Sequence, residues 1–144
     1  MQVRDVLRAK GGGVISIGPE LTVGDAVSRM VQNNIGSLPV LDGNGDLVGI
    51  FSERDALRDI AKHGDSFKGT RIADVMTKTP VTCDLDDDID CVLKQMSERR
   101  IAKVPVVSGG RLVGIISVGD MIKQLYERLR SENDHLMTYI HGTM

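Results

Sequence analysis

One seven-residue pattern occurs twice in the chain. Gly49-Ile50-Phe51-Ser52-Glu53-Arg54-Asp55 returns as Gly114-Ile115-Ile116-Ser117-Val118-Gly119-Asp120, and 114 − 49 places the second copy 65 residues after the first. Each copy runs Gly, two apolar residues, Ser, two variable residues and Asp. This is how a short buried strand hands over to the first turn of a helix. If that junction is duplicated, the surrounding sequence should be divisible into two similar units.

It is. Val3-Arg4-Asp5-Val6-Leu7 matches Ile72-Ala73-Asp74-Val75-Met76 at an offset of 69, and both read as short helical turns. Val14-Ile15-Ser16-Ile17 matches Pro80-Val81-Thr82-Cys83 at 66, each read as a strand followed by a polar or acidic turn. Val23, Ala26, Val27 and Met30 lie at i, i+3, i+4 and i+7, and adding 66 gives Ile89, Val92, Leu93 and Met96, apolar at every position. That spacing predicts two helices with superposable buried faces, started by N-cap signals at Thr22 (with Asp25) and at Asp88. A hairpin follows in each half: Ser37–Leu41 with Leu47–Phe51, and Lys103–Val107 with Leu112–Ile116. The second turn is one residue shorter, so the offset falls from 66 to 65. Pro39 and Pro105 cannot donate a ladder bond, which puts each on an edge or at a bulge.

The predicted fold is therefore mixed α/β: strand, helix, strand, strand, helix in each half, packed through the sheets with pseudo-twofold symmetry. Residues 1–66 form the first repeat, 67–125 the second and 126–144 a helical extension, with Phe67 to Arg71 as a polar link. A unit of about 55 residues buries too little to be secure alone, so the halves should form one globule. In the last helix Val118, Ile122, Leu125, Leu129, Leu136 and Ile140 form a near-heptad stripe, interrupted at Glu132. The stripe either folds back on its own half or meets a second chain; a homodimer is the expectation, because the first half has nothing comparable.

Two readings of the Ser-to-Asp junctions stand side by side. Ser followed three residues later by Asp is close to a capping box, in which the pair serves only the helix end. The same junction exposes free backbone N–H groups and the positive end of the helix dipole, which can hold a phosphate or a sugar hydroxyl.

Composition excludes several classes. A net charge of −2 gives no general attraction to nucleic acid or to an anionic membrane, so any phosphate-binding patch must be local. No apolar run is long enough for a membrane span, and the first residues lack a signal-peptide core, so the expected location is cytoplasmic. With 3% aromatic residues and no Trp, the core must be aliphatic. Cys83 and Cys91 indicate neither a disulfide framework nor a metal site. Asp84, Asp86, Asp87, Asp88 and Asp90 suit the dipole at a helix start better than a cation loop. His63, His135 and His141 are scattered, with no nucleophile placed to use one, so no catalytic residues are assigned and an enzyme is not expected. Gly11-Gly12-Gly13 precedes a strand and lacks the Lys of a phosphate loop, and reads as a flexible turn.

The doubled unit, the Pro39 and Pro105 strands and the two Gly-to-Asp motifs resemble a tandem pair of cystathionine-β-synthase (CBS) domains, a Bateman module, over about residues 1 to 125. The resemblance implies a βαββα fold in each half, clefts between the halves, and adenosyl ligands such as AMP, ADP, ATP, NAD or S-adenosylmethionine. The family motif is Gly, apolar, any, Ser/Thr, any, Ser/Thr, Asp; both copies depart at the second Ser/Thr, where this chain has Arg54 and Gly119. Arg54 brings a fork that could grip phosphate, whereas Gly119 leaves only backbone N–H groups. By this resemblance Asp55 and Asp120 would accept bonds from the ribose diol, and Ser52 and Ser117 would bond sugar or phosphate. Adenine would lie against Val14, Ile15, Ile35, Gly36, Ser37, Leu38 and Pro39 in one cleft, and against Pro80, Val81, Ile101, Ala102, Lys103, Val104 and Pro105 in the other. Arg99, Arg100 and Lys103 form a basic cluster: the arginines either neutralise phosphate from the rim or answer a helix C-terminus.

The function implied is a stand-alone regulatory module that binds an adenine nucleotide (AMP, ATP or NAD), requires no metal, and signals by conformational change to a regulated protein the sequence does not name. The alternative is a structural dimerisation module whose clefts stay empty.

Overall fold

The computed structural model describes the backbone of residues 1–140 and the side-chain surroundings of residues 1–134. The elements are α1 (Val3–Lys10), α2 (Val23–Asn33), β1 (Ser37–Leu41), β2 (Leu47–Ser52), α3 (Glu53–His63), a 3₁₀ helix (Gly64–Gly69), α4 (Ile72–Val75), β3 (Thr77–Lys78), α5 (Ile89–Arg99), β4 (Lys103–Ser108), β5 (Arg111–Ser117) and α6 (Val118–Ile140).

The two repeat helices form as their periodicity predicts. Val23, Ala26 and Met30 of α2 are buried with Val27 packed beside them, as are Ile89, Val92 and Met96 of α5 with Leu93. Thr22 Oγ1 accepts from the Asp25 amide at 3.2 Å while Asp25 accepts the Thr22 amide at 3.0 Å, a complete capping box. Asp88 caps α5 by accepting the Asp90 amide at 3.2 Å. Both helices end on a left-handed residue, Asn34 (φ 53°) and Arg100 (φ 55°), related by the same offset of 66.

Each hairpin is antiparallel. β1 pairs with β2, Leu38 opposite Phe51 and Pro39 opposite Ile50; β4 pairs with β5, Val104 opposite Ile116 and Pro105 opposite Ile115. Both ladders slip by one residue just past the proline, between Val40 and Leu41 and between Val106 and Val107. Pro39 lies on the outer strand of the sheet β1-β2-β3, so the edge and bulge expected of it are both present.

The halves are joined by exchange. Val3 and Val6 of α1 are fully buried in the core of the second half, among Ile89, Val92, Val104 and Ile116. Ile72 of α4 is fully buried in the core of the first half, among Val23, Leu38, Val40 and Phe51. Backbone bonds fix each crossing. Val3 N–H donates to Asp87 O and Ile89 N–H to Met1 O, while Val23 N–H donates to Thr70 O and Ile72 N–H to Leu21 O. β3, on the chain leading into the second half, pairs with β2 of the first, and Arg111 donates to the Asn44 carbonyl at 2.7 Å to tie the two hairpins. Pseudo-twofold symmetry is thus written in contacts as well as in sequence.

Three expectations are modified. Val14–Ile17 and Pro80–Cys83 do not form strands; each keeps one parallel bridge, Ile17 to Val40 and Cys83 to Val106, because only the last residue of each segment reaches the sheet edge. The Phe67–Arg71 link is ordered: its start belongs to the 3₁₀ helix, Phe67 packs on the first core, and Arg71 bridges to Thr22. The α6 stripe divides, since Val118 and Leu125 pack on the second core while Ile122 and Leu129 stay 55% and 65% exposed. The side chains of Leu136 and Ile140 lie outside the described residues.

The motif glycines owe their place to this crossing. A Cβ on Gly49 would stand 2.8 Å from the Thr77 carbonyl oxygen and 2.7 Å from Met76 Sδ; on Gly114 it would stand 2.7 Å from Leu7 Cδ2. Backbone cannot swing aside and a leucine methyl can. Gly49→Ala should therefore cost about 1–3 kcal/mol of unfolding free energy, and Gly114→Ala distinctly less, by urea denaturation of the two variants; equal losses would count against the exchange as the reason for glycine.

Candidate functional site

At each strand-to-helix junction the carboxylate is already engaged by its own helix end. Asp55 Oδ2 accepts the Ser52 amide at 2.9 Å and the Ser52 hydroxyl at 3.1 Å. Asp120 Oδ2 accepts the Ser117 amide at 2.9 Å, and the Asp120 amide donates to Ser117 Oγ at 3.0 Å. The capping reading therefore holds at both motifs. It leaves the Oδ1 side of each carboxylate for other work.

Several sequence-assigned residues are brought together by backbone pairing. Ser37 lies opposite Ser52, Glu53 N–H donates to Gly36 O at 3.1 Å, and Ile17 N–H donates to Pro39 O at 3.0 Å, so Gly36–Pro39 line up beside the first motif. In the second half Lys103 lies opposite Ser117, Val118 N–H donates to Ala102 O, and Cys83 N–H donates to Pro105 O. Leu38 and Val104 point into the two cores with 0% and 1% exposure and can offer a ligand only backbone. Ile35 and Ile101 pack on their own cores, partly buried. Val14 and Ile15 lie between Lys10, which contacts Asp120, and Ile17, which bridges to Val40, so this segment runs from the second motif to the first sheet. Pro80 and Val81 make the reverse passage, from β3 beside β2 to Cys83 beside β4. Arg54 is exposed, and Arg54, Arg100 and Lys103 make no ion pair among the described residues. A Cβ at Gly36 would come within 3.4 Å of Lys103 Nζ, so that amine reaches from the second half to the first junction.

A cavity of about 430 Å³ opens beside the first motif, lined by Asp55, Arg58, Asp59, Lys62, His63, Thr70, Asp74 and Val75. Of the sequence-assigned residues only Asp55 is in its wall. Asp55 and Asp59 are buried, with 5% and 3% exposure, one helical turn apart on α3. Asp59 Oδ1 is 2.7 Å from His63 Nδ1, and its Oδ2 has no hydrogen-bond partner. Ser37 Oγ is the other buried side-chain atom without a partner among the described residues, and it too belongs to the first half. Buried polar groups are ordinarily bonded, so two such atoms in one half point to a role beyond packing.

Sequence reasoning missed the Asp59–His63 pair. The available signal was inversion of the helix: α3 turns Asp55, Ala56 and Asp59 inward and leaves Leu57 66% exposed, the opposite of an ordinary amphipathic helix.

The second motif differs in charge. Lys10 Nζ, at the end of α1, lies 2.8 Å from Asp120 Oδ2 and 2.8 Å from the Ile115 carbonyl. Burial pushes the Asp120 carboxyl up, but the Lys10 bond, the Ser117 amide, the Lys10 charge and the Ser117 hydroxyl together outweigh it, and the group sits below its ordinary value of 3.8. The acidic run has structural employment: Asp86 pairs with Arg4, Asp87 accepts the Asp84 amide and Asp88 caps α5. Cys83 is buried and its thiol is pushed up to about 12, first by burial and then by the charges of Asp87 and Asp84, so it is an inert core thiol.

Comparison with known proteins agrees with this doubled geometry. The family model described as the CBS domain matches residues 3–62 and again residues 72–127. The chain belongs to the CBS-domain family. Its two CBS repeats are 32% identical to the mitochondrial CBS domain-containing protein CBSX3 of Arabidopsis thaliana, over 97% of this chain and 72% of that protein. The crystal structure of the CBS-domain containing protein ATU1752 from Agrobacterium tumefaciens superposes with a TM-score of 0.82 at 35% identity, covering 86% of this chain and 98% of that one. The CBS domain pair of protein MJ0100, solved in complex with 5′-methylthioadenosine and S-adenosyl-L-methionine, superposes with a TM-score of 0.78 at 28% identity, over 89% and 98% of the two chains.

In this CBS pair the lowered Asp120 carboxyl makes a directional prediction. A group depressed on folding contributes stability above its unfolded value and loses it as pH falls through the folded value. Asp120→Asn should thus narrow the gap to wild type as pH drops from 5 to below about 3.8, with melting temperature as the readout; a gap that widens on acidification would reverse the sign.

Proposed function

We propose that the chain is a cytoplasmic regulatory module, not an enzyme, which binds an adenosine-bearing small molecule between its two repeats and transmits occupancy to a partner protein. The reading is carried by Asp55: a buried carboxylate at the motif junction, opening on a cavity whose roughly 430 Å³ falls in the range of small-molecule sites. The adenosyl ligands of the MJ0100 pair, a protein of the same family and fold, support it.

AMP, ATP or NAD is the proposed ligand, with no metal required. Asp55 and Asp120 would accept the ribose hydroxyls, Ser37 and Ser52 would bond sugar or phosphate in the first cleft, and Arg54, Arg100 and Lys103 would meet phosphate charge. In this reading the working units are residues 1–66, 67–125 and the extension 126–144. Because the crossing segments 11–16 and 77–82 run from one motif to the other half's sheet, a ligand touching them would change how the halves sit, which is the differential contact a signal needs.

A homodimer through α6 belongs to the same proposal. Ile122, Tyr126 and Leu129 recur at i, i+4 and i+7 and are 55%, 64% and 65% exposed, an apolar stripe on an otherwise charged helix.

Calorimetric titration with AMP, ATP, NAD and S-adenosylmethionine should give binding heat with at least one of them, weakened at least tenfold by Asp55→Ala. Silence with all four would leave a structural module with empty clefts. Light scattering should find a dimer that Leu129→Glu converts to monomer; a monomeric wild type would remove α6 as the contact.

A further inference from the structure

The first helix of the chain ends inside the second motif. Lys10 is the last residue of α1, and its ammonium donates to Asp120 Oδ2 and to the Ile115 carbonyl, both at 2.8 Å. This is not a wandering surface lysine. Val3 and Val6, fully buried in the second core, fix the position of α1, and Leu7 rests on Gly114 one turn before Lys10. Immediately beyond, Gly11 and Gly12 take φ +66° and +76° with open space around them, so the helix stops where the ammonium is delivered and the chain turns away.

The first motif has no visitor bonded to its carboxylate: Lys103 Nζ, from the second half, comes only to the Gly36 side of the junction and pairs with no acid among the described residues. Its crossing segment arrives as β3, whose Thr77 and Lys78 are spent on the ladder with Ile50 and Gly49. Among the described residues the cation paired with Asp55 is Arg58 of the same helix, at 3.9 Å and with a side chain 71% exposed. Of the two motif carboxylates, that of Asp120 is thus the one bonded, among the described residues, by a lysine on the exchanged helix.

We propose that Lys10 is a latch on the second cleft: its ammonium holds Asp120 Oδ2 and the Ile115 carbonyl, two acceptors that a ligand's hydroxyl or amino donors would use, leaving only Oδ1 open, and the cleft fills fully only as Lys10 lets go. The inference rests on the proposed function. Asp120 Oδ2 already takes the Ser117 amide and the ammonium, and an ammonium has donors only, so it competes with a ligand's donors for the same lone pairs. The pair is half open to water, with side chains 37% and 25% exposed, and an ion pair of that kind is a modest interaction. It biases affinity without closing the site for good. The first cleft therefore fills at lower concentration, and filling of the second frees the last turn of α1, which turns second-site occupancy into a change at the N-terminal helix.

The test isolates the second cleft with Asp55→Asn and titrates S-adenosylmethionine and AMP calorimetrically, with and without Lys10→Met. Lys10→Met should tighten binding roughly three- to tenfold, and Lys10→Arg, which keeps the charge, should not. Unchanged or weaker binding in Lys10→Met, or no second-cleft heat with either lysine state, overturns the latch. If wild type itself gives no heat at any cleft, the proposed function falls with it; heat in wild type without tightening in Lys10→Met removes the latch alone. Acetylation of Lys10 by an N-hydroxysuccinimide ester, read by mass spectrometry on wild type, is a measurement that needs no variant. Labelling should rise at saturating ligand, and constant or reduced labelling contradicts the latch.

Discussion

Neither core of this protein is complete without a helix from the other half. Val3 and Val6 fill the second, Ile72 fills the first, and all three are fully buried. Burying an aliphatic side chain of this size is worth about 1.5–3 kcal/mol, so the three exchanged residues together approach the 5–15 kcal/mol that typically separates a folded domain from its unfolded chain. The halves therefore cannot part without together losing a stabilisation comparable to that of a whole domain. Two small repeats, each too short to hold alone, become one cooperative unit by lending one another a helix.

The same exchange brings the chain to the junctions. A helix that must enter the other half's core passes over the strand that ends in Ser52 or Ser117, and only glycine lets it come close: Met76 and Thr77 against Gly49, Leu7 against Gly114. Having crossed, each segment returns to its own sheet through a single bridge at Ile17 or Cys83. The residues between crossing and return, 11–16 and 79–82, are strung between the halves rather than packed within one. Any molecule that settled against them and against Asp55 or Asp120 would be touching both repeats at once. A shift of one half against the other would change that contact, which is the physical route from occupancy to signal.

What the sequence made legible was whatever repeats locally. The helix faces of α2 and α5, the hairpins, the slipped register after Pro39 and Pro105 and the capping pairs all follow from spacing within about ten residues, and all are present. The exchange was not legible, because Val3 and Ile72 carry the same helical signal whichever core they enter. The segments 14–17 and 80–83 have the composition of strands, but a strand needs a partner along its length, and each finds one only at its last residue. Asp55 was assigned to a ligand, but Asp59 and His63 were not joined to it, because charge on a helix usually faces water; here Thr70 and α4 stand over that side, and the apolar Leu57 is left outside instead.

Near-identical motifs need not be equivalent sites. At the first, two carboxylates one turn apart are buried with no lysine paired to either among the described residues, although Lys62 lines the cavity beside them, and an oxygen of Asp59 is left without a partner. Such a cluster is unfavourable unless something supplies donors. At the second, the helix that completes the core also delivers Lys10, and the charge of Asp120 is met from within the chain. The difference arises from α4 stopping at Val75 while α1 runs on to Lys10, a helix one turn longer. Duplication gave two junctions of one design, and the length of the exchanged helix decides which of them it supplies with a lysine: Asp120 receives Lys10, while Asp55 and Asp59 are met by Arg58 and His63 of their own helix and keep one Asp59 oxygen open to a donor from outside.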